Sequence, residues 1–398
     1  MVECCTGIGL YIHVPFCFRK CRYCDFYSVA VDYRDRGFAG TASDYAGAVA
    51  RELGLYLEMM RGERGELPRL TSIYLGGGTP TVLGGEALAR IIGEARAAFP
   101  TVDEKLEVTV EANPDSVDTD LLRQLSRAGV NRVSLGVQSF NPQILRTLGR
   151  VHTGEQALDA YRMIRGAGFD NVSLDLMLGL PGQTRELLEE DLRQAVALSP
   201  EHVSAYLLKV EPGTPFHRDL EAGELTVPDE DQAAEIYSRA VKYLKEAGYH
   251  HYEISNLART GRESRHNLIY WENREYLGLG PAAHSSLREE GRLVRRANVS
   301  DLGEYLRRLS SGELPIESVE RVDRELEMAE TMFLGLRRMA GIRPGEFESR
   351  FGQTIEEVYP GVLERLTASG LIIGDEAGIR LTGRGILLAN EVFIAFLP

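Results

Sequence analysis

The sequence predicts an α/β fold: a partial (βα)6 barrel of the TIM type, followed by a small C-terminal domain that is helical and winged-helix-like. Two observations predict the barrel. Short segments rich in β-branched and other apolar residues recur at regular intervals as far as residue 208, and segments with the periodicity of amphipathic helices separate them. A change of this rhythm after residue 250 indicates that a different unit follows.

The predicted strands end at Gly, Pro, Asn or polar residues, which are typical of turns. Right-handed crossovers curl six such units into part of an eight-stranded barrel, which leaves a lateral opening for a bulky substrate. The predicted strands are 10–14, 72–75, 106–110, 132–137, 171–177 and 202–208. The predicted helices are 87–98, 120–128, 155–167, 186–198 and 232–247, with Gly129, Gly168 and Gly248 as C-terminal caps of three of them.

Three segments are predicted along the chain: the barrel over 1–250, an irregular extension over 251–312 and the winged-helix-like domain over 313–398. The extension contains Gly278, Gly280 and Pro281, and a Gly-Glu-Leu-Pro break at 312–315 ends it. From Glu320 onward, nine arginines and no lysine face thirteen acidic residues. A wing that binds DNA should be basic, so we expect an interaction or lid role for this domain.

The composition is that of an ordinary globular protein: 398 residues, 43% apolar, 26% charged, with a formal net charge of −14. The acidic balance argues against nucleic acid as a partner of the whole molecule, because such binding depends on Lys and Arg. Apolar runs stay well short of the roughly 20 residues of a transmembrane segment. The first residues lack the features of a secretory signal, and we expect a cytoplasmic protein.

The strongest chemical signal is the cysteine pattern, because all five cysteines fall within the first 24 residues. Cys17, Cys21 and Cys24 form a C-x3-C-x2-C run directly after the first strand. Three thiolates on one loop can hold three irons of a 4Fe-4S cluster and leave the fourth iron open to another ligand. A zinc site is the alternative, but structural zinc sites use four ligands. Cys4 and Cys5 precede the strand, and we interpret them as peripheral thiols.

Polar residues and glycines follow the later strands, at the rim where barrels place reactive groups. The run at 76–80, Gly-Gly-Gly-Thr-Pro, offers backbone groups without side-chain obstruction. Glu111, Gln138 and Arg150 lie at or beyond the ends of further strands. Taken singly, such residues are more often caps or solvated groups. Asp175 lies within an apolar strand, where a buried charge must be paired or hydrogen-bonded.

Together these segments resemble the radical S-adenosylmethionine (SAM) proteins of the oxygen-independent coproporphyrinogen III oxidase group. The resemblance rests on residues 11–17, 24–27, 76–80, 137–141 and 175–184. It implies a 4Fe-4S cluster on the three cysteines of the run, with the methionine part of SAM on the open iron. It also implies SAM contacts from Tyr11, Gly77, Gly78, Thr79, Glu111, Gln138, Arg150 and Asp175.

Two departures from that group indicate a particular branch. The coproporphyrinogen dehydrogenases have a fourth cysteine two residues after the third, where this chain has Phe26. The segment 266–271 instead resembles the H-N-x-x-Y-W signature of HemW-type heme chaperones. The resemblance implies that the chain binds heme and delivers it to client hemoproteins, respiratory ones among them. Its heme-binding residues would be His266, Asn267, Tyr270 and Trp271.

The residues leave several alternatives open. His266 is a candidate axial ligand of heme iron, and His250, His251 and His284 compete with it. The segment 266–271 could equally be a satisfied polar network that holds a loop on the barrel. Candidate partners of the heme propionates are Arg19, Lys20, Arg22, Arg295 and Arg296.

The alternative functions are enzymatic. They are the oxidative decarboxylation of coproporphyrinogen III, or another radical modification of a tetrapyrrole such as methylation. Reductive cleavage of SAM by this chain is a hypothesis that requires an external one-electron donor such as a flavodoxin or ferredoxin. The remaining alternative is not enzymatic: an iron-sulfur protein whose cluster has only a structural role and which binds no heme.

Overall fold

The computed structural model describes residues 7–32, 37–375 and 378–397. The predicted peripheral thiols Cys4 and Cys5 lie outside the described residues. Among the helices in these ranges, none combines the length and the apolar composition needed to cross a bilayer. All six predicted barrel strands are present.

The barrel strands lie side by side in chain order and pair in parallel, which confirms the predicted partial barrel. The strands are β1 (Gly7–Val14), β4 (Arg69–Gly77), β5 (Val102–Ala112), β6 (Arg132–Gln138), β7 (Val172–Leu178) and β8 (His202–Leu207). A separate small pair, β2 (Phe16–Cys17) and β3 (Val29–Ala30), lies in the loop after β1. The connecting helices are α1 (Phe38–Arg64), α2 (Gly85–Ala98), α3 (Thr119–Ala128), α4 (Pro142–Leu148), α5 (Gly154–Gly166), α6 (Arg185–Leu198), α7 (Pro215–Glu221) and α8 (Glu230–Glu246).

The barrel strands alternate between an apolar face and a polar face. Their apolar residues, such as Ile73 and Val133, belong to the large core that includes the surrounding helices. The opposite face is polar on neighbouring strands: Ser134 pairs in register with Ser173, which pairs in register with His202. The lumen is therefore lined by polar side chains, unlike the branched apolar layers that fill most TIM barrels.

The segment predicted to be irregular, 251–312, is largely regular. Together with a strand just beyond it, at Ile316–Arg321, it extends the barrel sheet at both edges to twelve strands. Gly278 and Gly280 resemble loop residues in the sequence, but close packing requires them. A Cβ on Gly278 would lie 2.0 Å from the His284 carbonyl oxygen, and one on Gly280 would lie 2.5 Å from that of His13. The added elements are β9 (His250–Glu253), β10 (Asn256–Ala258), α9 (Arg265–Trp271), β11 (Tyr276–Leu279), β12 (His284–Glu289), β13 (Arg292–Asn298), α10 (Leu302–Ser310) and β14 (Ile316–Arg321).

The strands added at the two edges of the sheet pair in different directions. Strand β11 pairs with β1 in parallel and is followed by the antiparallel strands β12 to β14. At the other edge, β10 pairs antiparallel with both β8 and β9. Helix α9, which begins after its cap Ser264, lies at the amino-terminal end of the barrel lumen, where the backbone N–H groups of Arg265 and His266 donate to the Glu107 carboxylate.

A second hydrophobic core forms in the C-terminal part of the chain and includes Met332, Phe347 and Val392. Its order of helices followed by a two-stranded hairpin confirms the predicted winged-helix-like unit. Strand β14 still pairs with β13 in the large sheet, so this core begins later than residue 313. Its elements are α11 (Arg324–Gly335), α12 (Pro344–Phe351), α13 (Ile355–Val358), α14 (Val362–Ala368), β15 (Ile372–Asp375), β16 (Gly378–Leu381), α15 (Gly383–Leu387) and α16 (Ala389–Ile394).

A buried carboxylate joins α1 to the sheet extension. Glu52 accepts hydrogen bonds from the Gly280 N–H at 2.8 Å, the Tyr305 hydroxyl at 2.6 Å and the Asn298 amide at 2.5 Å. Burial outweighs these three donors and raises the pKa of Glu52 to about 7, from an ordinary value of 4.5. The folded protein therefore binds this proton more tightly than the unfolded chain.

We predict that Glu52→Gln lowers the free energy of unfolding at pH 5 by about 1–3 kcal/mol, because one of the buried donors loses its acceptor. In the parent protein, stability conferred by the tighter proton binding is present below pH 4.5 and falls as the pH rises to about 7. The variant lacks this contribution, so its stability changes less across that window. Urea unfolding at several pH values measures both effects, with the exposed Glu58→Gln as control. An unchanged pH dependence would contradict the role of Glu52.

Candidate functional site

A cavity of about 440 Å³ opens at the carboxyl ends of the parallel strands. The three cysteines of the C-x3-C-x2-C run border it, and so do most of the predicted SAM contacts. The cavity-lining residues among the predicted ones are Cys17, Cys21, Cys24, Gly77, Gly78, Thr79, Glu111, Gln138, Arg150, Asp175 and Asn267. The strand-end positions that the sequence indicated are therefore brought to one place.

The loop that holds the cysteines, residues 16–30, is fastened to the barrel by backbone hydrogen bonds. The Arg22 N–H donates to the Leu148 carbonyl at 3.1 Å, and the Phe216 N–H donates to the Arg22 carbonyl at 3.0 Å. An ion pair between Arg22 and Asp219 adds a second contact with α7. We call these residues the cysteine loop. Its three thiols are half-buried and free.

The thiols form a set suited to a multinuclear group. Burial raises the pKa of Cys17, and it raises the pKa of Cys24 to about 11, so thiolates here need a cation to stabilise them. Among the described residues, no three His, Cys, Asp or Glu side chains surround a point that could hold a single metal ion. A cluster, which presents a separate iron to each thiolate, fits three spaced thiols better than one zinc ion does.

Neighbouring side chains contact two of the thiols. The Thr79 hydroxyl lies 3.4 Å from Cys17 Sγ, and Arg150 Nη1 donates to Cys21 Sγ at 3.5 Å. The Arg150 guanidinium is held by Asn113, whose Oδ1 accepts from Nη2 at 2.6 Å, and by the Gly136 carbonyl. A buried cation beside the thiols favours an electron-rich sulfur group at this position.

The glycine run is required by packing between β4 and the cysteine loop. A Cβ on Gly77, whose φ is +111°, would lie 2.6 Å from the His13 ring. A Cβ on Gly78 would lie 2.7 Å from the Phe16 carbonyl oxygen and 3.1 Å from Cys17 Sγ. The Gly78 N–H also donates to the Val14 carbonyl at the end of β1 at 2.9 Å, and the Thr79 N–H donates to the Phe16 carbonyl of the loop at 2.7 Å. The absence of side chains at Gly77 and Gly78 thus allows the Cys17 thiol to lie against the end of β4.

Two carboxylates stand on the wall of the cavity. Glu111 accepts from the Tyr74 hydroxyl at 2.7 Å and from the Gly77 N–H at 3.2 Å, and burial raises its pKa to about 7. Asp175 accepts from the hydroxyls of Ser134, Ser173 and Ser204, the last at 2.7 Å. The expectation that a charge in this apolar strand must be hydrogen-bonded is confirmed.

Two further residues predicted to contact SAM, Gln138 and Tyr11, lie at different depths in the barrel. Gln138 lines the cavity from a left-handed backbone conformation, with φ of +65°, at the end of β6. Tyr11 lies deeper in the lumen: its hydroxyl is 3.0 Å from His13 Nδ1, and its ring tilts against those of Tyr74 and His266. The position of Tyr11 therefore favours a packing role below the cavity.

The residues of the H-N-x-x-Y-W segment do not gather around one opening. His266 is 1% exposed, and its two ring nitrogens lie 2.8 Å from the Ser72 hydroxyl and 2.8 Å from the Tyr270 hydroxyl. Burial lowers the pKa of His266 to about 3, so the ring is neutral. Trp271 lies against the Arg337 guanidinium of the C-terminal domain, 4.3 Å from the ring centroid. Only Asn267 of the four borders the cavity.

The basic residues predicted as partners of the heme propionates differ in where they lie. Arg295 and Arg296 form ion pairs with Glu330 and Glu289 on and near the sheet extension. Arg19 and Lys20 are exposed and border the cavity.

Several residues that line the cavity are not among those predicted from the sequence. Arg132 is buried in the lumen, where the charge of Glu107 raises its pKa. The sequence could have indicated this position, because Arg132 lies two residues before Ser134 and therefore on the same polar face of β6. Tyr206 and Leu207 also line the cavity, at the end of β8. Their exposure, like that of Phe26, follows from the fold and has no local sequence signal.

A partial parallel barrel with three spaced thiols on the loop after its first strand defines a radical SAM protein. The Radical SAM superfamily model accordingly matches residues 11–195, the HemN C-terminal domain model matches 322–388, and the UPF0113 PUA domain model matches 251–310. Membership of the superfamily implies a 4Fe-4S cluster and SAM.

Comparison with curated proteins gives the family. The chain is 38% identical to heme chaperone HemW of Bacillus subtilis (strain 168), over 97% of this chain and 98% of the relative. It is 33% identical to heme chaperone HemW of Escherichia coli (strain K12), over 98% of each chain. The protein belongs to the HemW family of radical SAM proteins. Its fold is also that of the coproporphyrinogen III oxidase HemN of Escherichia coli, with a TM-score of 0.80, 23% identity, and coverage of 98% of this chain and 90% of that one.

We predict that Gly78→Ala lowers the iron and sulfide content after anaerobic reconstitution, because the new methyl group must displace the Phe16 carbonyl and the Cys17 thiol. Overpacking of this kind costs about 1–3 kcal/mol. Gly93→Ala is the matched control, since a Cβ there meets nothing within 4 Å. Metal analysis and absorption spectra of both variants test the prediction. Full cluster content in Gly78→Ala would contradict the close approach of β4 to the cysteine loop.

Proposed function

We propose that this protein is a heme chaperone: it binds heme and delivers it to client hemoproteins, with a 4Fe-4S cluster and SAM bound in the same barrel. The observation that supports this most directly is the similarity over nearly the whole chain to relatives named heme chaperone HemW, at 38% and 33% identity. The cavity beside three free thiols gives the proposal a place in the molecule.

Cys17, Cys21 and Cys24 are proposed as the cluster ligands. These thiols would hold the cluster and leave one iron open to the methionine part of SAM. With an external one-electron donor such as a flavodoxin or ferredoxin, the bound cluster would supply the electron for sulfonium cleavage. Thr79 and Arg150 lie beside two of the thiols and would orient the cluster. Arg150 would in addition attract the SAM carboxylate, because its guanidinium lies at the cavity wall.

The remaining predicted SAM contacts are proposed for the nucleoside and amino-acid ends. Asp175 accepts from three serine hydroxyls, and as a carboxylate it would accept in the same way from ribose hydroxyls. Glu111, Gln138 and the backbone of Gly77 and Gly78 offer further acceptors and donors in the same cavity. A cavity of about 440 Å³ lies within the range of about 300–1,000 Å³ typical of small-molecule sites.

The segment 266–271 is proposed to support the barrel from its amino-terminal end. His266, Tyr270 and Ser72 satisfy one another through hydrogen bonds of 2.8 Å. Ligation of heme iron by His266 would break one of these bonds and require the ring to leave a fully buried position. The geometry thus favours the polar-network interpretation for His266, and of the four predicted heme-binding residues only Asn267 borders the cavity.

The alternative function is the oxidative decarboxylation of coproporphyrinogen III. HemN of Escherichia coli is named for this oxidase activity, but its 23% identity to this chain supports only a shared fold. Phe26, at the position where the dehydrogenases have a fourth cysteine, is 61% exposed at the cavity and offers an apolar ring there. We therefore favour binding of an apolar macrocycle over chemistry that needs a further thiol.

We predict that the anaerobically reconstituted protein binds one heme per chain, with a saturable Soret change and quenching of Trp271 fluorescence, and passes heme to an apo-hemoprotein. The same preparation should not decarboxylate coproporphyrinogen III in the presence of SAM and reductant. Replacement of all three cluster cysteines by serine should abolish the cluster absorption and leave measurable heme affinity.

Absorption titration, transfer to the apo-hemoprotein and product analysis of the tetrapyrrole are the measurements. Saturable binding with no turnover supports the chaperone. Absence of saturable binding, or formation of protoporphyrinogen, would reject it in favour of an enzyme. Formation of 5'-deoxyadenosine without tetrapyrrole modification would show that SAM cleavage is separate from heme handling.

A further inference from the structure

The mouth of the cavity exposes large apolar side chains. Phe26 on the cysteine loop is 61% exposed, and Tyr206 and Leu207 at the end of β8 are 40% and 39% exposed. All three border the same cavity. They come from β8 and from the loop after β1, the last and first strands of the barrel, which do not pair with each other. Exposed aromatic and aliphatic groups gathered at an opening mark a binding surface.

Basic side chains border the same mouth. Arg19 and Lys20 lie on the cysteine loop and are exposed to solvent. Lys209, which follows β8, is 81% exposed and pairs with Glu211 at 2.7 Å. Asp25 and Glu211 are the acidic residues at this rim. Arg19 and Lys20 therefore stand near the apolar residues as the cations most available to an anionic group.

The interior of the cavity has the opposite character. Its walls present Glu111, Asn113, Arg150 and Asp175, and buried serines hydrogen-bond to the last of these. These groups suit a polar ligand such as a nucleoside, and a large apolar ring would leave them unsatisfied. The cavity thus has a polar interior that fits SAM and an apolar mouth with cations at its rim.

We propose that this mouth is the heme-binding surface: Phe26, Tyr206 and Leu207 contact the macrocycle, and Arg19 and Lys20 pair with its propionates. The inference rests on the proposed chaperone function and specifies where its cargo binds. Heme is a flat apolar ring with two carboxylates on one edge, which matches an apolar surface bordered by cations. Bound there, it lies outside the polar interior and leaves that space to SAM.

The alternative location for heme is helix α9, whose side chains are already engaged in contacts within the protein. His266 is 1% exposed, and the Trp271 ring is covered on one face by Arg337. The C-terminal domain fixes the end of this helix further, through Arg338 to Glu272 at 3.1 Å and Thr331 to Asn273 at 3.1 Å. Heme at α9 would have to displace these contacts, whereas the mouth is open in the structure.

The test compares heme affinity of reconstituted full-length variants by Soret titration, with SAM present. Phe26→Ser and the double variant Arg19→Glu/Lys20→Glu should each raise the heme Kd roughly tenfold, equivalent to about 1.4 kcal/mol. Ile394→Ser is the matched control for the apolar change, because Ile394 is 65% exposed on the C-terminal domain. Arg127→Glu, at the exposed end of α3, is the control for charge. Iron and sulfide analysis establishes that each variant retains its cluster.

The dimethyl ester of heme separates the two contributions. Because the ester lacks carboxylates, the Arg19→Glu/Lys20→Glu variant should bind it as the parent does, while Phe26→Ser should still bind it more weakly. These results would support the mouth. Parent-like heme affinity in both mouth variants, with binding lost in Trp271→Phe, would overturn the location and leave the chaperone function standing. Absence of saturable heme binding by the parent protein would reject both.

Discussion

The close approach of the β4 end to the cysteine loop is the constraint on which the site depends. Gly77 and Gly78 have no side chains, so the loop can pack against them and the Thr79 N–H can donate to its Phe16 carbonyl. This contact places Cys17 at the carboxyl end of the barrel, beside Thr79. The same end of the sheet presents Glu111, Arg150 and Asp175, because parallel strands all finish there. One packing requirement thereby joins the cysteine loop to the cavity.

Much of the fold follows from local sequence patterns. Each barrel strand has an apolar segment that ends in a turn, and the helices between have clear caps, such as Asp118 and Thr184. The strand β11 escaped prediction because its four residues, Tyr276–Leu279, show too little pattern, and because Gly278 and Gly280 are typical of loops. Only the tertiary contacts with β1 and β12 explain those glycines. The polar lining of the lumen could not be predicted from the sequence either. Single polar residues in apolar strands indicate a shared face only once the strand register is known.

The candidate site also has parts that the sequence predicts and parts that only the structure reveals. The cysteine spacing and the strand-end residues predicted the cavity, since spacing within one loop and position after a strand are local properties. The segment 266–271 was identified by resemblance, but its environment depends on contacts with Ser72, Glu107 and Arg337, which are distant in sequence. No local pattern distinguishes a histidine that binds iron from one that is buried in a hydrogen-bonded network. Exposure of Phe26, Tyr206 and Leu207 is also a tertiary property, so the apolar mouth could be found only in the structure.

The cavity of the barrel thus has two environments, a polar interior beside the three cysteines and an apolar mouth with cations. The most direct test is an anomalous difference map, recorded at the iron absorption edge, from crystals of the reconstituted protein with heme and SAM. The account predicts two iron positions: the cluster beside Cys17, Cys21 and Cys24, and a single heme iron near Phe26 and Tyr206 at the cavity mouth. A heme iron beside α9 and Trp271, or heme filling the cavity interior in place of SAM, would contradict it.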